Sequence, residues 1–222
     1  MRVLYYDCFS GISGDMNLAA MLDLGVDASV LRSGLAKLNI SDEFELQITQ
    51  DSKCGIHGTR VDVMLKDHQH SDQNHHPHRN LQDIETIIIG SELSESVKTA
   101  SMAIFRRSAE AEAHVHNTSI EQIHFHEVGA TDAIVDIVGA AICRDALCVD
   151  EVLCSPIELG GGFVTCAHGR LPVPAPATVE ILEGIPTRRG AVAYETTTPT
   201  GSAILATLVD RFTATPELIS EK

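Results

Sequence analysis

The apolar positions of this chain change their spacing several times along its length. Residues 2–6 are a short apolar run that predicts a first strand. Apolar positions 18, 21, 22 and 24 then mark a helix that stops at Gly25, and a second helix is expected over 27–38. Phe44, Leu46 and Ile48 alternate with polar residues, as do Val61, Val63 and Leu65. Period two marks half-buried strands, and the short connection over 51–58 makes them an antiparallel pair. Two helices are expected over 80–89 and about 93–113, the second capped by Ser94. Residues 131–147 are so nearly all apolar that their helix should be buried on every side. A strand is expected over 151–159, closed by Gly160, Gly161 and Gly162. Pro172, Pro174 and Pro176 force an extended path into a helix over 176–183. A last helix is expected over 202–209, with a loose tail from 213. This succession predicts an α+β fold: a mixed β-sheet covered by helices, near a split βαβ (ferredoxin-like) arrangement, with α/β as the alternative.

Polar residues that interrupt this pattern carry the candidate chemistry. His124 and His126 are two apart, so an extended segment projects both to one side. Gly129 breaks that segment. Asp132 and Asp136 are four apart and stack on one face of the following helix. Asp136 sits in an otherwise apolar run, and a buried carboxylate requires a cation or several donors. With Glu127 these residues outline a divalent-cation site. The alternative is that Asp132 merely favours the helix start and Asp136 pairs with an arginine. Residues 8–16 place a glycine-serine turn between a strand and a helix, the layout of an anion cradle. The turn is neither a P-loop nor a nucleophile elbow. Asp7 and Asp15 flank it for a cation, unless Ser13 or Asp15 simply caps the helix.

Residues 67–79 are a polar, low-complexity tract expected to be a mobile loop. Its His68, His70, His75, His76 and His78 are imidazole donors suited to nickel, zinc or copper. The alternative is a solvated loop with an accidental bias. The proline-stiffened segment after residue 168 holds His168 in place, and Thr198 and Thr200 lie at a helix start where hydroxyls suit an anion.

Composition narrows the partners. The 222 residues carry 16 Lys and Arg against 31 Asp and Glu, a net charge of −15. No basic patch exists, which argues against nucleic acid and anionic membranes as partners. Six cysteines form no CxxC pair, and their scatter predicts reduced thiols in a cytoplasm. No apolar run reaches transmembrane length, and the N-terminus lacks a signal peptide's long apolar region.

Four blocks together resemble the N-terminal part of the LarC-type nickel insertion proteins. They are 7–16, 124–139, 168–177, and Glu195 with 198–201; the histidine-rich tract fits as well. The resemblance implies an enzyme, a lyase-type nickel chelatase, that inserts nickel into pyridinium-3,5-bisthiocarboxylic acid mononucleotide. The product is the nickel-pincer nucleotide of lactate racemase and related enzymes. It also implies CTP with manganese or magnesium, bound by a C-terminal domain that residues 1–222 lack, and it leaves a homo-oligomer open. On this reading His124, His126 or Glu127 takes the ring proton, and Asp132 and Asp136 orient the imidazoles or bind the cation. His124, His126 and Asp136 are the fixed metal ligands, while the five tract histidines collect nickel. Asp7, Ser10, Ser13, Gly14, Asp15, His168, Thr198 and Thr200 receive the nucleotide. Two other readings remain: a magnesium- or manganese-dependent phosphoester hydrolase built on Asp7, Asp15, Asp132 and Asp136, and a non-catalytic nickel carrier that needs only the tract.

Overall fold

In the computed structural model, residues 1–66, 79–123, 125, 129–166 and 169–222 are described. β1 (Val3–Tyr6) leads into α1 (Gly14–Asp23) and α2 (Ala28–Leu35). A long hairpin follows, β2 (Phe44–Lys53) and β3 (Ile56–Leu65). Next come α3 (Leu81–Ile89), α4 (Glu95–Val115) and α5 (Thr131–Leu147). The last third holds β4 (Glu151–Cys154), β5 (Ile157–Glu158), β6 (Phe163–Cys166), β7 (Gly169–Pro172), α6 (Pro176–Ile181), β8 (Thr187–Arg188), α7 (Pro199–Leu208) and β9 (Arg211–Phe212).

The α+β expectation holds. The strands divide among four small sheets: a parallel one ordered β1-β4-β9, the antiparallel pairs β2-β3 and β6-β7, and a parallel β5-β8 pair. In the first, Val3 lies opposite Glu151 and Leu153 opposite Arg211.

α5 is the centre of the packing. Eleven of its 17 residues are buried, so it needs neighbours on several faces, and α1, α2, α4 and α7 supply them. Gly139 is what lets α1 come close. A Cβ built there would lie 2.8 Å from a Leu18 methyl, a contact that needs the neighbour to shift. Ile134, Ile137 and Val138 of α5, Leu18 of α1, Leu31 of α2 and Ile104 of α4 are completely buried at this junction. The core is therefore aliphatic, with Phe105 and Phe125 its edge-to-face aromatic pair.

Several boundaries differ from the sequence reading. The strand expected over 151–159 breaks at Pro156, which has no N–H to give a ladder. The Ser155 N–H still bonds the Tyr6 carbonyl, but that of Ile157 goes to Pro186, so the chain leaves one sheet and joins another. The β6-β7 hairpin lies where glycines and an extended proline path were expected. α7 starts at Pro199, not 202, because the Thr198 hydroxyl caps it by accepting from the Gly201 N–H at 3.2 Å. α2 ends at Leu35, short of 38. Among the described residues no helix is long and apolar enough to cross a membrane, and all six cysteines are free thiols.

Candidate functional site

Three helix starts meet at one cavity. Ser13, Gly14 and Asp15 come from α1, Asp132, Ala133 and Asp136 from α5, and Thr198, Pro199 and Thr200 from α7; Glu195 completes the lining. The cavity holds about 220 Å³. Its frame is backbone. The Thr198 N–H bonds the Ile12 carbonyl at 3.1 Å, and Ile12 pairs with Thr197 in a short parallel bridge. This stitch brings the start of α7 beside the start of α1. The Ser13 hydroxyl accepts from the Met16 N–H as the α1 cap and also donates to Asp15.

Asp136 is the most constrained residue of the cavity. A Cβ on Gly14 would fall 2.2 Å from its Oδ2, so only glycine lets α1 approach this carboxylate. Its Oδ1 is buried and has no hydrogen-bond partner among the described residues. Burial first, then the charges of Asp15 and Asp132, push its carboxyl up from the usual 3.8 to about 8. The arginine partner that the sequence left open is absent there among the described residues. Arg79 binds Glu43 instead, with both Nη2 contacts at 2.6 and 2.7 Å, and donates to the Thr131 hydroxyl at 3.0 Å.

A crowded, like-charged carboxyl with an unanswered oxygen fits a hard divalent cation such as magnesium or manganese, which takes oxygen ligands. Among the described residues no three ligating side chains stand together as a formed metal cluster, so a cation bound there would have to gather the three carboxylates around itself. Gly14→Ala is expected to cost about 1–3 kcal/mol in a denaturant titration, through displacement of the Asp136 side chain, and to weaken cation binding with it.

Of the sequence candidates, Ser13, Gly14, Asp15, Asp132, Asp136, Thr198 and Thr200 come together here. Asp7 and Ser10 are exposed and do not line the cavity. His124, His126, Glu127, His168 and the tract histidines His68, His70, His75, His76 and His78 lie outside the described residues. At the end of α4, His114 and His116 contact Glu180 and Glu112 at 2.5 and 3.4 Å.

The residue-type reading missed the supports. Glu158 is 2% exposed; its Oε1 accepts from the Gly160 and Ala191 N–H groups, and its carbonyl accepts from the Thr196 and Thr197 hydroxyls. It thereby fixes the segment that carries Glu195 and Thr198. The Ile-Glu-Leu context reads only as an alternating strand, and no sequence signal marks this role.

The family model described as "Nickel insertion protein" matches residues 4–222. A putative nickel insertion protein of Maridesulfovibrio salexigens is 58% identical, over 98% of this chain and 57% of its own length. The pyridinium-3,5-bisthiocarboxylic acid mononucleotide nickel insertion proteins of Clostridium kluyveri and Clostridium acetobutylicum are 55% and 53% identical over the whole chain, which covers 57% and 59% of them. The chain thus spans less than two thirds of the length of these relatives. No solved structure matches.

Proposed function

The chain belongs to the nickel insertion protein family, and from that premise we propose that it helps insert nickel into pyridinium-3,5-bisthiocarboxylic acid mononucleotide. The observation that carries the reading is the cavity where Asp15, Asp132 and Asp136 meet the starts of α1 and α7. A magnesium or manganese ion would be held there by the three carboxylates and would supply the positive charge that a nucleotide phosphate needs beside them. The Thr200 hydroxyl and the helix-start amides are the donors for the remaining phosphate oxygens, joined by the Ser13 hydroxyl once Asp15 turns to the cation.

Nickel is the cargo. Joining it to a ring carbon expels a ring proton, and His124, His126 or Glu127 is the base that takes it. His68, His70, His75, His76 and His78 collect the metal, and His168 contacts the nucleotide. The CTP-dependent step, with manganese or magnesium, is assigned to a C-terminal domain beyond these 222 residues. The whole then acts as a cytoplasmic nickel chelatase and supplies lactate racemase.

In full-length protein the His124→Ala/His126→Ala pair is expected to slow cofactor formation by about a hundredfold or more while manganese binding persists. Cofactor made at the normal rate would sink the assignment. The oxygen-rich cavity specifically favours a second reading, hydrolysis of a phosphoester. Turnover of simple phosphoesters with magnesium or manganese, without nickel or the pyridinium substrate, would select it.

A further inference from the structure

A second cavity of about 310 Å³ adjoins the first. It lies between the last turn of α4, the β6-β7 hairpin and the start of α6. Val115, Val164, Leu171 and Ala177 give it apolar walls. Glu195 and Pro199 line both cavities, so the two hollows share one threshold. Its volume is at the lower end of the roughly 300–1,000 Å³ of small-molecule pockets. Glu112, also in its wall, contacts the imidazole of His116 at 3.4 Å.

We propose that this second cavity receives the pyridinium ring of the mononucleotide, with Glu195 at the ribose and the phosphate in the first cavity. The inference rests on the function proposed above and deepens it. A flat heteroaromatic ring has two apolar faces, and apolar walls reward their burial. The ring nitrogen is permanently cationic and carries the ribose. It therefore sits at the threshold, where the Glu195 carboxylate attracts the charge and accepts from the ribose hydroxyls. The thiocarboxylates then point inward, toward the Cys166 thiol, which shares a face of β6 with Val164. In this pose one ligand spans both hollows.

The chain contains no tryptophan, so Val115→Trp, on the partly exposed rim, is a clean optical reporter. Nicotinate mononucleotide serves as the probe, with manganese present, because its pyridinium ring quenches a neighbouring indole. Quenching is expected with this probe and not with ribose 5-phosphate, which lacks the ring. Leu171→Trp fills the cavity from a half-buried strand position that suits an aromatic residue. It is expected to weaken calorimetric binding of the probe by about tenfold or more while manganese binding by electron spin resonance is retained. The ring placement is overturned by unquenched binding, by unchanged affinity in Leu171→Trp, or by a wild-type chain that binds manganese but not the probe. A wild-type chain that fails to bind manganese removes the cation site instead. Should Leu171→Trp not fold, the reporter decides alone.

Discussion

Asp136→Asn is expected to stabilise the metal-free protein at about pH 8.5 and, in the same molecule, to abolish divalent-cation binding. The two effects have one cause. Folding buries this carboxyl beside Asp15 and Asp132, and its pKa rises from 3.8 to about 8. Between those values the folded chain holds a proton that the unfolded chain has released. The folded state therefore binds more protons, and stability falls as pH rises from about 4 to about 8. Below about pH 4 both states are protonated and the penalty vanishes. A tenfold change in proton affinity is worth about 1.4 kcal/mol, so the ionised native state bears a cost of several kcal/mol at high pH. Asparagine has the same shape and never ionises. At about 2–4 °C per kcal/mol for a chain this long, the melting temperature in EDTA should rise by several degrees at high pH and hardly change near pH 4. With manganese added, the wild type should gain stability by mass action and the variant should not, which reverses their order. An Asn variant that is less stable by the same amount at both pH values, or one that still binds manganese, defeats this account.

The same residue shows what was legible in the sequence. Asp136 stood out because one carboxylate in an apolar helical run has few explanations, and both its burial and the company of Asp132 follow from helical period. The Ser13 cap and the start of α4 at Ser94 were also local, readable from a hydroxyl three residues before a backbone donor. What sequence could not show was convergence. Asp15, Asp136 and Thr200 are separated by long stretches, and long-range contacts such as the Ile12–Thr198 backbone bond and the bare Cα of Gly14 bring them to one cavity. Glu195 belonged to a recognised block, yet its place at a threshold between two cavities depends on Glu158 fixing the segment around it. The β6-β7 hairpin was hidden for another reason. Its glycine and proline content reads as loop, while its pairing from Phe163–Pro172 to Cys166–Gly169 comes from the partner strand.

The Glu43–Arg79–Thr131 network carries the second large expectation. Arg79 and Glu43 are nearly and mostly buried, with side chains 10% and 25% exposed. The Thr131 hydroxyl donates to Glu43 Oε2 at 2.6 Å and accepts from Arg79, so the fork closes on the first residue of α5. The Arg79 carbonyl meanwhile accepts from the N–H of Phe125, the residue between His124 and His126 in sequence. Glu43→Leu leaves a guanidinium that cannot shed its charge, and Arg79→Met leaves a carboxylate that can regain a proton and is partly wet. Each single change should cost about 3–5 kcal/mol in urea, with Glu43→Leu the worse. The double variant removes both charges and should recover most of that loss, because an apolar pair of similar volume can replace a buried ion pair. A double variant as unstable as the sum of the singles would show that the pair is not coupled. Recovery of stability should not restore function: Thr131 stands immediately before Asp132, and without its two charged partners the start of α5 loses its anchor. Manganese affinity in the refolded double variant should therefore stay below wild type, and it is expected to rise toward wild type in the conservative Glu43→Asp protein, where the charge pair survives.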